Sequence, residues 1–236
     1  MLKRAEINNL LLLSLADVDF ERLIQSARLV DFSGGEVLYE AEATLNTVWF
    51  PNTGLISIMS VMLSGTMIET SVVGREGAVG FIEASGGGAM FSRAVVQLPG
   101  QFLAVPAHIY RTAFADSASL RKTVQDHIEL LVTEARQAMA CIALHTVGQR
   151  LAWWLLEAQD RIGGSTDLPL TQEFLAVMLA VRRPTVSGHA KKLQAEGLIC
   201  YSRGRITVLD RPGLERTACE CYATTQHFRR IIEGRL

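Results

Sequence analysis

Between residues 170 and 208 the spacing of apolar positions changes three times. Leu175, Met178 and Leu179 recur at helical spacing, which predicts a short helix with one buried face. The pattern pauses at 180–183 and resumes at Pro184, a residue suited to a first helical turn because it lacks an N–H that would be unpaired there. Val186, Ala190 and Leu193 then form the buried stripe of a second helix, which Gly197 ends. Residues 198–201 and 206–208 read as two strands joined by a turn at Arg203-Gly204-Arg205. The pattern predicts two helices with a tight turn between them, followed by a two-stranded wing.

Upstream the periods differ. Residues 6–30 are expected to be helical, with Ser14 or Asp17 as the cap. From about 31 to 106, short β-rich runs (48–50, 55–59, 67–73, 93–98, 102–105) alternate with glycine and proline turns. Strands this short, with turns this frequent, predict an antiparallel roll or barrel. Gly86-Gly87-Gly88 belongs in a loop. Residues 117–145 predict a helix ~40 Å long at about 1.5 Å per residue. Along it Leu120, Val124, Leu131, Ala138 and Ile142 are spaced near 3.5–3.6 residues, with Ile128, Ala135 and Met139 beside them and His127 near the stripe. Such a helix either packs on its own domain or forms a two-stranded coil across a dimer axis. A roll cannot cover its whole length, which favours the coil. Further helices are expected from Thr146 to Arg161, and from 210–215 through Cys219 and Cys221 to about Ile232. The expected parts are 1–116, a β-roll; 117–145, the long helix; and 146–236, the winged helix-turn-helix. The fold class is α+β.

Charge sharpens the reading of the helix pair. Segment 182–211 carries seven Lys/Arg against two acids, a local net of +5, whereas the whole chain is at −1. The second helix turns Thr185, Ser187, Gly188, His189, Lys191 and Lys192 away from its buried stripe, and Arg182, Arg183 and Pro184 precede them. A small, polar and basic helix face beside a basic wing (Arg203, Arg205) suits a DNA major groove and its phosphates.

Residues 171–199 together with Arg203-Gly204-Arg205-Ile206 resemble the winged helix-turn-helix of Crp/Fnr-type transcription regulators. Gly35-Glu36-Val37-Leu38, Pro51-Asn52-Thr53-Gly54 and Gly74-Arg75-Glu76-Gly77 fall where that family's cyclic-nucleotide-binding-like β-roll has its glycine turns. The resemblance covers nearly the whole chain. It implies a homodimer joined by the long helix, double-stranded DNA with a pseudo-palindromic operator as partner, and RNA polymerase as a further partner if the protein activates. It also implies an effector pocket in the roll. Cyclic-AMP-binding members place there a carboxylate for the ribose and an arginine for the cyclic phosphate. In this chain the corresponding turn reads Gly77-Ala78-Val79-Gly80, so Ala78 stands where the carboxylate would be. Either Arg93 or Ser92 matches the arginine, and a one-residue shift flips the strand face. An effector other than cyclic AMP, or none, is therefore expected.

Other chemistries find little support. Iron–sulfur members use N-terminal cysteines, and no cysteine precedes Cys141. Read as one helix, Cys219 and Cys221 would point ~200° apart and could not share an ion. No metal or cofactor is expected. Nucleophile-elbow, phosphate-loop and zinc-protease motifs are absent, so an enzyme is not expected. No apolar run reaches the ~18 residues of a membrane span, and no secretory segment is evident, which leads to the expectation of a cytoplasmic protein. The competing reading is a ligand-sensing or interaction module that has lost specific DNA binding.

Overall fold

The computed structural model describes residues 2–234. Met1, Arg235 and Leu236, at the outer limits of the expected domains, lie outside the described residues.

The N-terminal segment is not the continuous helix expected over 6–30. A 3₁₀ turn at Arg4–Glu6 precedes α1 (Leu10–Leu13) and α2 (Asp17–Ile24), and β1 (Arg28–Phe32) follows. Neither Ser14 nor Asp17 is an N-cap. Asn9 caps α1 by accepting from the Leu12 N–H at 2.9 Å, and its amide donates to the Pro51 and Gly77 carbonyls. That buried amide breaks the helix run and ties it to the roll, a long-range effect that local periodicity does not carry.

Then come β2 (Val37–Tyr39), β3 (Thr47–Pro51), β4 (Leu55–Val61), β5 (Met67–Val73), α3 (Phe81–Ser85), β6 (Arg93–Leu98) and β7 (Gly100–Pro106). They pair antiparallel in two sheets, in the orders β1-β7-β3 and β2-β6-β4-β5. Ile56, Val73, Ala94, Val96 and Phe102 pack between the sheets. A second cluster joins α1, α2, β3 and β7 to α4 (Ala107–Asp116) and the first half of α5 (Ala118–Leu144), around Phe20, Phe50 and Tyr110. Burying each of these rings contributes about 1.5–3 kcal/mol.

The apolar stripe expected to form the dimer seam of α5 is largely occupied within the same chain. Leu120, Val124 and His127 are buried, and Leu131 packs against the same core. The exposed apolar positions lie on a neighbouring stripe, Val132, Ala135, Met139 and Ile142, spaced 3, 4 and 3 residues apart. At about 100° per residue this second stripe lies roughly 70° round the helix from the first. Of the expected seam only Ile142, 59% exposed, belongs to it; Ala138 is half-buried. The correction is physical: α4 and the roll take one face of α5, so a partner helix can only meet the other.

The remainder of the chain forms α6 (Val147–Arg161), β8 (Asp167–Leu168), α7 (Gln172–Leu179), α8 (Arg183–Ala195), β9 (Ile199–Ser202), β10 (Arg205–Val208), α9 (Arg211–Thr217) and α10 (Cys221–Glu233). A three-stranded sheet of order β8-β10-β9 closes it. The expected single helix through Cys219 and Cys221 is two helices. Thr217 ends α9 and Cys221 opens α10, so Cys219 sits in the turn between them and the helical-spacing argument against a shared ion fails.

Candidate nucleic-acid interface and adjoining cavity

The Thr171 hydroxyl caps α7 by accepting from the Phe174 N–H at 3.2 Å. Ala180 ends that helix in the left-handed region at φ 53°. A guanidinium N–H of buried Arg150 on α6 donates to the Leu179 carbonyl at 2.7 Å, fixing the turn from behind. α8 then begins at Arg183, with Pro184 in its first turn, and buries Val186, Ala190 and Leu193 against α6 and α7.

This packing leaves Arg182, Arg183, Pro184, Thr185, Gly188, Lys191 and Lys192 exposed. Nothing stands within 4 Å of a Cβ built on Gly188, so a large partner can approach the backbone there. Two expected contact residues are placed differently. The Ser187 hydroxyl donates to Gln172 Oε1 on α7. The His189 ring lies over Gly148, where a Cβ would be 2.9 Å from Nδ1. Both side chains hold α8 to its own domain, because each lies on the flank between the buried and exposed faces.

The wing joins β9 to β10 through Arg203 and Gly204, at φ 49° and 76°. Two successive positive φ values match the strand twist of a two-residue hairpin. Arg203 and Arg205 are both exposed, but Arg205 is ion-paired with Asp167 on β8, leaving Arg203 as the wing cation without such a partner among the described residues.

Against this domain the roll leaves a cavity of about 620 Å³. Its walls come from β5 (Ile68, Glu69), from α3 (Phe81, Glu83), from the exposed stripe of α5, and from Trp153, Trp154 and Met178 of the helix-turn-helix domain. Of the expected effector residues, Ala78 and Ser92 line it. Arg93 does not. It alternates with inward-facing Ala94 on β6, and its guanidinium meets Glu40 at 3.2 Å. Gly77 lies behind the wall, where a Cβ would stand 2.9 Å from His127 Nε2. The strand face thus resolves the Ser92/Arg93 ambiguity: neither the carboxylate nor the arginine of a cyclic-nucleotide cassette points into this space.

The cavity is bordered by a buried ionic cluster that sequence spacing could not reveal, since its members come from four elements. Arg161 on α6 pairs with Glu76 of the roll, with Glu134 of α5 at 3.1 Å and with Glu157 at 3.4 Å. Arg229 on α10 meets Glu134 and Glu157, each at 2.6 Å. Burial alone would lower the pKa of Arg161, but the three carboxylates raise it well above its ordinary value. Burial raises the carboxyl of Glu134, yet Arg161 and Arg229 hold it below the usual range. The neighbouring His127 imidazole is held neutral by burial, which outweighs Glu76 and Glu134. Glu69 of β5 is an exception. Burial pushes its carboxyl up to about 7, against the hydroxyl of Ser57, the indole N–H of Trp154 at 3.3 Å and the charge of Arg161.

Fold and surface together define a class: an antiparallel sensor-type roll, a long connecting helix, and a winged helix-turn-helix with an exposed basic reading helix. Residues 149–217 match the family model of the Crp-like helix-turn-helix domain. The chain thus carries a Crp-like helix-turn-helix domain, and its fold is that of the solved Crp/Fnr-type regulators. A Crp/Fnr-family transcriptional regulator from Eubacterium rectale shares 20% identity at a TM-score of 0.66, over 88% of this chain and 96% of its own. FixK2 from Bradyrhizobium japonicum shares 16% identity at 0.70, over 82% and 98%. The c-di-GMP-responsive global regulator CLP from Xanthomonas campestris shares 13% at 0.66, over 83% and 100%. No curated protein matches the sequence significantly. Among the described residues no helix is long and apolar enough to cross a membrane.

Proposed function

We propose that the chain works in the cytoplasm as a homodimer whose paired α8 helices read a pseudo-palindromic operator, without cyclic AMP as effector. The observation that carries the reading is the basic face of α8, exposed along its whole length while its apolar face is locked by Arg150, Ser187 and His189. Arg183, Thr185 and Gly188 stand toward the bases. Arg182, Lys191, Lys192 and Arg203 serve the phosphates, whose displaced counterions make such binding salt-dependent. The two-fold operator follows from the exposed stripe of α5 between Val132 and Ile142, which a second α5 would cover in coiled-coil register. If the regulator activates, RNA polymerase is its further partner.

The missing carboxylate and arginine argue against cyclic AMP. Ala78 offers no acceptor for a ribose hydroxyl, and Ser92 carries no charge for a cyclic phosphate. The test selects binding sites from random duplexes with the purified full chain, then measures affinity against salt and against added cyclic AMP. A two-fold symmetric site bound without nucleotide supports the reading. Binding of equal strength to all duplexes would mark a module that has lost specific recognition, and a large affinity gain with cyclic AMP would overturn the effector claim.

A further inference from the structure

We propose that Cys141, His145, Cys219 and Cys221 form a closed structural site for one Zn²⁺ ion. Cys141 lies in the last turn of α5 and His145 is that helix's C-cap. Cys219 occupies the turn between α9 and α10, and Cys221 opens α10. Segments 74 or more residues apart thus bring three thiols and one imidazole into a single cluster, with the four candidate ligand atoms all within 4.8 Å of one another. Cys141 Sγ stands 3.5 Å from Cys219 Sγ, and Cys221 Sγ stands 3.4 Å from His145 Nδ1. In a tetrahedron with zinc–sulfur bonds of ~2.3 Å the ligand atoms lie ~3.8 Å apart, so the observed spacings need only small adjustments. A three-sulfur, one-nitrogen set with this geometry selects zinc among common divalent ions. Ligands spread over the several irons of a cluster would stand farther apart, which points to a single ion.

The surroundings are those of a metal site. His145 offers Nδ1 to the cluster, and its Nε2 lies on the outer side, 3.9 Å from the exposed carboxylate of Glu220. Gln137 donates to Cys221 Sγ at 3.1 Å, a contact suited to a thiolate. The ion would sit where the carbonyl end of α5 favours a cation and the amide end of α10 favours the Cys221 thiolate. All three cysteines are buried, so no coordination position is left open to a substrate. Three thiolates and a neutral imidazole around Zn²⁺ make a site of net charge −1, and each ligating thiol gives up its proton to solvent as the ion binds. Cys200, exposed on the wing, takes no part. The consequence is a staple between the end of α5 and the α9–α10 joint, which fixes the DNA-binding domain to the long helix.

The experiment purifies the full chain under reducing conditions and measures metal by plasma mass spectrometry. The expected content is about one zinc per chain. Replacement by Co²⁺ should give sulfur-to-cobalt charge transfer and the intense ligand-field bands of a tetrahedral site. Cys219→Ser and His145→Ala should lose stoichiometric metal and Cys200→Ser should keep it. Should Cys219→Ser fail to fold, the cobalt spectrum of the unaltered chain and the metal content of His145→Ala still decide. A weak octahedral cobalt spectrum, zinc content unaffected by His145→Ala, or a Cys141–Cys219 disulfide in freshly reduced protein would each overturn the proposal.

Discussion

Replacing Glu69 by Gln should abolish a pH dependence that the roll imposes on the DNA-binding domain. Glu69 is half-buried where β5 meets α6, and burial pushes its carboxyl up to about 7 against an ordinary 4.5. Between those values the unfolded chain has already lost the proton that the folded chain keeps. The unfolded state then binds fewer protons, so stability falls as pH rises through the window. At about 1.4 kcal/mol per pH unit the span amounts to ~3 kcal/mol, complete once the pH has passed about 7. His127 works in the opposite sense: its pKa is lowered by burial, so its contribution is lost as pH falls below the ordinary histidine value. The raw stability curve mixes the two, and the difference between wild type and Glu69→Gln isolates the carboxylate. Gln retains an oxygen for the Trp154 N–H and carries no charge at any pH. Denaturant titrations between about pH 5 and pH 8, followed by tryptophan fluorescence, should show the variant gaining up to ~3 kcal/mol over wild type as pH rises. Parallel curves for the two proteins would refute the reasoning and put the Glu69 carboxylate in contact with water.

Arg183→Ala should relax discrimination at one base pair of the operator by about 1–3 kcal/mol, read by competition with single-base variants; equal weakening on all sequences would make Arg183 a phosphate contact. Arg203→Ala should lower the slope of log affinity against log salt by about one, and Arg205→Ala by less, because Asp167 already neutralises Arg205. Met139→Glu, at a position 65% exposed in one chain, should leave the protomer folded while light scattering shows dissociation to monomers; an intact dimer would move the interface elsewhere. Arg161→Met leaves Glu76, Glu134 and Glu157 with fewer buried partners and should cost about 3–5 kcal/mol of stability, measured by chemical denaturation.

The parts of the chain legible in the sequence are those whose contacts are local. Leu175, Val186, Ala190 and Leu193 bury mainly within the helix-turn-helix domain itself, and their spacing shows it; the Arg203-Gly204 turn is local as well. The reading failed where distant residues decide. Asn9 breaks the N-terminal helix through carbonyls at Pro51 and Gly77. Ser187 and His189 look outward on a helical wheel, but Gln172 and Gly148 hold them. α5 has two apolar stripes, and periodicity alone does not say which of them its own domain takes. Cys219 and Cys221 seemed to diverge only because the turn after Thr217 was read as helix, although Glu220 and the cysteines give no proline or glycine to mark it.

The cavity's position bears on how a signal could reach the DNA. A ligand shifts a conformational equilibrium only through different affinities for its two states. A molecule held wholly inside the roll would touch Ile56, Ala94 and Phe102, which pack among themselves whatever the DNA-binding domain does. A molecule in the 620 Å³ cavity would instead touch Ile68 and Glu69 on one side and Trp153, Trp154 and Met178 on the other. Its binding energy would then depend on how the two domains are docked. The same docking is held by Trp154 on Glu69 and by Arg161 on Glu76. A cationic ligand would compete for Glu69 and draw it into its charged form, whereas an apolar one would favour the neutral carboxyl and the closed arrangement. The charge of an occupant would thus bear on whether the helix-turn-helix domain stays docked on the roll through Trp154 and Glu69.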